Sequence, residues 1–271
     1  MDLHLTHGAT LPRIGLGTWP MDDAEAERVV AEAVMAGYRL VDTAVNYGNE
    51  RGVGRGVRAS GVPRDQVFVT TKFNRESHSI EGVAAAFEGS AGRLGVDYID
   101  LLLIHWPNPD QDRYVEAWQG LIRLLEQGSV RAIGVSNFTA AHVDRLIEAT
   151  GVSPDVNQVQ LSPRLARREI RAYDAALGIV TQSWSPLGQG NDLLREPVIV
   201  GIAELRGCTP GQVVLAWHLA HGLSAVPKSS DPVRLRQNLA AAQMVLAPDE
   251  VAGLDALDGG EEPVDSDAFG H

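Results

Sequence analysis

Short apolar runs of strand-like composition recur along this chain at roughly 30-residue intervals, and stretches with helical periodicity separate them. The runs fall at residues 14–17, 39–42, 67–72, 99–105, 132–135, 156–160, 179–183 and 224–226. The periodic stretches include 24–35, 83–94, 115–126, 140–149, 167–176, 197–206 and 210–220. Asp23, Thr139 and Thr209 stand where helices should start, the last followed by Pro210 at the first helical position. Gly37, Gly95, Gly128, Gly151 and Gly178 stand where helices should stop. Eight such strand–helix units predict an α/β fold, a (β/α)8 barrel, and residues 3–5 and 11–14 around His7-Gly8-Ala9 predict an N-terminal β-hairpin. The competing architecture, a doubly wound sheet, usually carries a glycine-rich phosphate loop after its first strand. Gly54-Arg55-Gly56-Val57-Arg58-Ala59 matches that pattern by letter, but Asn49-Glu50-Arg51 precedes it instead of a strand. The segment reads as the middle of a helix running to Ser60-Gly61, and the match as chance.

A chain of 271 residues with no low-complexity linker is expected to form a single domain over 1–271, with 259–271 as a short, acidic, mobile tail. A net charge of -12 argues against nucleic acid or an anionic membrane as the main partner. The single Cys208 excludes an internal disulfide and a multi-thiolate metal site. Met1-Asp2-Leu3-His4 does not open a signal peptide, and no apolar run reaches the length of a membrane span. The expected location is therefore the cytoplasm.

Polar residues close several of the apolar runs. Asp42 ends 39–42, Lys72 ends 67–72, His105 ends 99–105, and Tyr47 follows Asp42 in the next loop. In a parallel barrel all strand C-termini open on one face, so an acid, an amine, an imidazole and a phenol can converge there. A phenol with its ordinary pKa near 10 is a poor proton donor at neutrality. A lysine held against it would favour the phenolate and lower that value, while Asp42 would keep the lysine charged and in place. His105 would be a second donor to a carbonyl oxygen. Each residue also has an ordinary reading: a turn cap for Asp42, a solvated charge for Lys72, a loop histidine, a surface tyrosine. One shared site accounts for all four at once. His218 and His221 read as helix-end residues without a third metal ligand, and Asp110 and Asp112 as solvated loop acids; no metal is expected.

Asp42-Thr43-Ala44 with Tyr47-Gly48-Asn49-Glu50 resembles the signature of the aldo-keto reductases. So do residues 94–101 leading to Ile104-His105-Trp106-Pro107, and Gly134-Val135-Ser136-Asn137-Phe138. So do Pro227-Lys228-Ser229-Ser230 and Arg234-Leu235-Arg236-Gln237-Asn238. The likeness runs from Gly15-Leu16-Gly17-Thr18-Trp19 to about Asn238. It implies a (β/α)8 barrel whose catalytic tetrad is Asp42, Tyr47, Lys72 and His105, with the tyrosine as general acid in carbonyl reduction.

The resemblance also implies NADP(H) extended across the barrel mouth. Ser136, Asn137 and Gln158 would hold the nicotinamide carboxamide, which needs donors and acceptors together. Trp184 would stack on the nicotinamide ring, and Ser185, Leu187 and Gly188 would pass beside the pyrophosphate. Lys228, Ser229 and Arg234 would bind the adenosine 2′-phosphate, while Gln237, where the family usually carries Glu, and Asn238 would lie on the adenine side. Trp19, Phe73 and Trp106 would wall a substrate pocket, with Phe269 of the tail as a candidate cover. Residues 182–190 are most similar to bacterial reductases of the 2,5-diketogluconate type. The acidic tail disfavours anionic sugar acids, so small aldehydes, 2-oxoaldehydes and activated ketones are the expected substrates of a monomeric enzyme. The alternatives are a cofactor-sensing regulatory subunit with little turnover, and a metal-dependent barrel hydrolase for which only His105 and Asp42 would qualify as ligands.

Overall fold

The computed structural model describes residues 2–270. A two-stranded antiparallel hairpin, β1 (Leu3–His4) and β2 (Thr10–Leu11), comes first. The strands that follow are β3 (Leu16–Gly17), β4 (Leu40–Asp42), β5 (Phe68–Phe73), β6 (Ile99–Ile104), β7 (Val130–Ser136), β8 (Val156–Gln160), β9 (Val180–Trp184) and β10 (Ser224–Ala225). They pair in sequence order, all parallel. The ring closes between its ends: Ile14 bridges Ala225, Gly15 N–H donates to the Ala225 carbonyl at 2.9 Å, and Gly17 N–H donates to that of Pro227 at 3.1 Å. This is the (β/α)8 barrel that the alternation predicts.

Helices α1 (Asp23–Met35), α2 (Glu50–Ala59), α3 (Ile80–Leu94), α4 (Tyr114–Glu126), α5 (Ala140–Thr150), α6 (Arg168–Ala176), α7 (Pro197–Arg206) and α8 (Pro210–Ala220) connect the strands, and α9 (Pro232–Ala240) and α10 (Pro248–Asp255) follow β10. Thr139 and Thr209 cap α5 and α8, each within a capping box. At α1 the cap is Asp22, which accepts from Glu25 N–H, and not Asp23. Asp23 instead accepts from Gly52 N–H at 2.7 Å, tying α1 to the start of α2. The glycine string that imitates a phosphate loop lies inside α2. Its glycines let helix backbones touch: a Cβ on Gly54 would sit 1.9 Å from the Leu94 carbonyl oxygen, and one on Gly52 2.1 Å from that of Asp23.

The alternation of side chains along a strand separates an inner core from the apolar layer between sheet and helices, which itself forms two clusters, the smaller one around Val159, α7 and α8. Leu40, Phe68, Leu101, Leu103, Ala132, Val156 and Val226 cluster with Leu5 and Leu11, so the hairpin plugs the interior at the bottom. Val41, Val69, Leu102, Ile104, Ile133 and Val135 belong to a larger cluster with residues of α1, α3, α4 and α5. Residues two apart share a face. The register that turns Leu40, Phe68 and Leu103 inward therefore also turns Asp42, Lys72 and His105 inward at the opposite end.

Candidate active site

Neighbouring strands β4, β5 and β6 deliver the acid, the amine and the imidazole to one rim. Lys72 is fully buried, and its Nζ donates to Asp42 Oδ1 at 2.8 Å, to the Thr43 carbonyl at 2.9 Å and to the Tyr47 hydroxyl at 3.3 Å. All three ammonium protons are thus used. The other Asp42 oxygen accepts from Gln158 Nε2 at 2.7 Å. The His105 ring meets the Tyr47 ring edge-on with centroids 6.0 Å apart, and its Nδ1 lies 3.2 Å from Asn74 Oδ1. The Asn74 amide therefore sets which ring nitrogen keeps the proton.

Tyr47 ends a short 3-10 turn, Val45–Tyr47, that two buried side chains secure from behind. Asn49 accepts from the Thr43 hydroxyl at 2.6 Å and donates to the carbonyls of Thr18 and Met21 at 3.1 and 2.9 Å. Glu50 accepts from Thr71 Oγ1 and from Arg93 Nε, both at 2.6 Å. These two residues and Asn74 hold the Tyr47 turn and the His105 ring, and local sequence assigns them no such contacts. The motif that contains Asn49 and Glu50 was visible; their partners, from β3 to α3, were not.

Burial works against the Lys72 charge, but Asp42 and Tyr47 outweigh it, and the pKa of the ammonium is raised. Burial dominates at Tyr47 and raises the phenol's pKa, with Lys72 pulling it down and Asp42 pushing it up. The expected lowering by Lys72 is present, yet desolvation exceeds it. Burial, helped by the charge on Lys72, lowers His105 to about 3, so its imidazole is neutral throughout the physiological range.

The residues expected to hold a cofactor line the rim over β7 to β10. Ser136 Oγ donates to the Gln158 carbonyl at 2.8 Å. Asn137, in the left-handed region at φ 63°, donates to the His105 carbonyl at 3.1 Å and to Ser136 Oγ at 3.0 Å. Half-buried Trp184 donates from Nε1 to Asn137 Oδ1 at 2.9 Å. Gln158 joins this group to the first through Asp42, and also donates to Gln182 Oε1 at 2.6 Å. Ser185, Leu187 and Gly188 form the loop after β9, where a Cβ on Gly188 would lie 2.1 Å from Asn191 Oδ1. Lys228 and Ser229 lie in the loop before α9, with Arg234 exposed on its first turn. Gln237 is half-buried farther along α9, and buried Asn238 has its Oδ1 near Gly211 of α8.

Of the residues expected to wall a substrate pocket, Trp19 is 50% exposed, and Trp106 stacks beside His105 with centroids 6.4 Å apart. Phe73 does not join them. It is next to Lys72 on the same strand, so it faces the opposite way and is buried in the sheet–helix core against His78. The tail, expected to be mobile, is held at several points. Gly259 and Gly260 N–H donate to the Arg164 carbonyl, Asp267 pairs with His142 at 3.1 Å, and the Gly270 carbonyl accepts from Asn108 Nδ2 at 2.9 Å. These contacts set the Phe269 ring against Trp106 at 4.7 Å between centroids.

His218 is buried between the carbonyls of Val214 and Leu161, and His221 pairs with Asp255. Asp110 and Asp112, expected to be solvated, pair with Arg75 and Arg145. Among the described residues no group of three His, Cys, Asp or Glu side chains could hold a metal ion, and no single helix is long and apolar enough to cross a membrane.

Residues 13–259 match the aldo/keto reductase family profile. The chain is 42% identical over 271 residues to methylglyoxal reductase DkgA of Yersinia pestis, covering 99% of this chain and 97% of the relative. It is 44% identical over 258 residues to 2,5-diketo-D-gluconic acid reductase B of Corynebacterium sp. (strain SHS752001), covering 95% and 93%. Among solved structures, a mutant of Gox0644 in complex with NADPH superimposes with a TM-score of 0.94 at 40% identity, covering 99% of this chain and 98% of that one. A family match over this span, on a barrel that carries the family's motifs at its mouth, means that the chain belongs to the aldo/keto reductase family.

Proposed function

We propose that this protein reduces small aldehydes, 2-oxoaldehydes or activated ketones to alcohols with NADPH, using Tyr47 as the proton donor. The family makes it an NADP-dependent oxidoreductase acting on carbonyl groups. One observation carries the finer reading: a water-excluded lysine, fixed by Asp42, within hydrogen-bond reach of a phenol at the barrel mouth.

When bound, NADPH would supply the hydride for the carbonyl carbon. The donor set fits it. Ammonium, hydroxyl and guanidinium groups on Lys228, Ser229 and Arg234 suit a dianionic phosphate, Trp184 offers an indole face, and Ser136, Asn137 and Gln158 offer amide and hydroxyl partners for the carboxamide. Tyr47 gives its proton to the carbonyl oxygen as charge develops there, and Lys72 stabilises the phenolate left behind. Asp42 keeps Lys72 protonated and aimed. Neutral His105 donates Nδ1–H to Asn74 Oδ1, which fixes the ring beside Tyr47 and so shapes the pocket in which the carbonyl oxygen meets the phenol. The aromatic walls of Trp19, Trp106 and Phe269 favour compact, weakly polar substrates, and the acids of the tail oppose anionic ones. The same reading includes a monomeric, single-domain enzyme of the cytoplasm, its monomer checked by size-exclusion chromatography of the purified protein.

The test is Tyr47→Phe. Losing a positioned general acid should cost roughly 10²- to 10⁴-fold in turnover of a simple aldehyde, with NADPH affinity nearly unchanged. Undiminished turnover in that variant overturns the assignment. A screen of NADPH oxidation across aldehydes, ketones and sugar acids tests the substrate class, and a clear preference for sugar acids would reverse it.

A further inference from the structure

We propose that Glu25 and Asp231 are selectivity-setting residues, carboxylates that compete with the cofactor's 2′-phosphate for Lys228 and Arg234 and so limit the preference for NADPH over NADH. The proposal rests on the reading that those two cations hold the phosphate.

Both cations already face an acid of their own chain. Glu25, in the first turn of α1, places Oε1 3.9 Å from Lys228 Nζ, which also donates to Ser230 Oγ at 2.7 Å. Arg234 Nε lies 4.0 Å from Asp231 Oδ2. The two acids differ in freedom. Glu25 is a long side chain, 35% exposed, with no other ion pair among the described residues, and it can swing away. Asp231 is anchored as the N-cap of α9, its Oδ1 accepting from Val233 N–H at 2.7 Å and Arg234 N–H at 3.0 Å. Those backbone bonds hold its carboxyl below the usual range, so it stays charged at neutral pH.

A phosphate dianion that settles between Lys228 and Arg234 must displace Glu25 and accept the fixed charge of Asp231 nearby. A ribose 2′-hydroxyl meets no such opposition, because a carboxylate can accept its proton in a hydrogen bond. The two acids therefore penalise NADPH and leave NADH alone. Because these pairs are solvent-accessible, each acid should change affinity only roughly two- to fivefold.

The experiment titrates NADPH and NADH against the full chain by tryptophan fluorescence, for wild type, Glu25→Gln, Asp231→Asn, the double variant and Lys228→Ala. Asparagine preserves the helix cap, so Asp231→Asn removes charge without removing the bonds. Each carboxylate variant should bind NADPH roughly two- to fivefold tighter with NADH unchanged or weaker, and the gain should shrink in high salt. Unchanged NADPH affinity in both variants, or equal tightening of NADH, overturns the proposal. Lys228→Ala separates the two layers. Selective loss of NADPH there, with inert carboxylate variants, refutes only the competitor role, whereas equal loss of both cofactors refutes the phosphate reading and this proposal with it.

Discussion

Lys72 carries its charge where water does not reach, and its neighbours make that tolerable. Three acceptors satisfy its three protons, one of them a carboxylate. Replacing it by methionine would leave Asp42 buried with its charge uncompensated. Lys72→Met should therefore cost about 3 kcal/mol of stability as well as turnover, read from urea unfolding. A loss below about 1 kcal/mol would mean that the pair is not dry. The pH dependence of reduction follows from His105. Its folded pKa near 3 lies below the working range, so the ring is already neutral and its titration cannot shape the profile from pH 5 to 9. A profile of kcat/KM should lack an inflection near 6.5, and an inflection there that vanishes in His105→Gln would contradict the burial argument.

At the scale of elements, glycine has opposite consequences in two adjacent helices. Gly54 of α2 lies against the backbone of Leu94, and Gly92 of α3 faces open space with no atom within 4 Å of a new Cβ. Gly54→Ala should force α2 away from α3 and cost about 3 kcal/mol or more. Gly92→Ala should stabilise by about 0.5–1 kcal/mol, because alanine loses less backbone entropy on forming a helix. Thermal or urea unfolding of both variants checks the pair, and similar changes in the two would show that the helices do not touch at Gly54.

The whole molecule stores several buried groups in their neutral forms. Burial lowers His78 and His218 to about 4 and His105 to about 3. In the unfolded chain these rings protonate below about 6.5, so between there and pH 4 unfolding takes up protons and stability falls as pH falls. Asp174 acts in the other direction. Burial raises it to about 7, so the folded protein holds a proton that the unfolded chain releases above about 3.9. Among these four groups, three protons taken up against one released leave about two, a contribution of about 2–3 kcal/mol per pH unit in the lower part of that window, where the unfolded rings are protonated. Urea titrations between pH 6.5 and 4.5 measure the slope directly, and a flat response would show that these rings are wetter than their surroundings imply.

Periodicity made the eight strand–helix units legible, because such repeats are local properties of neighbouring residues, and the lack of a phosphate loop after a strand favoured the barrel over a doubly wound sheet. Periodicity also determined the rim, since a polar residue closing each apolar run must emerge where parallel strands end. The glycine string of α2 was legible as helical for the same reason. What the tertiary structure decided are relations between residues far apart in the chain. Phe73 belongs to the core because Lys72 takes the inward register, a choice set by pairing with β4 and β6. Asp22 rather than Asp23 caps α1 because Gly52 engages Asp23. Asn49, Glu50 and Asn74 acquire roles from partners on other elements, and Phe269 reaches Trp106 only because Arg164, His142 and Asn108 hold the tail. Desolvation, which outweighs Lys72 at Tyr47, is likewise a sum over everything packed around the phenol, and no stretch of sequence contains that sum.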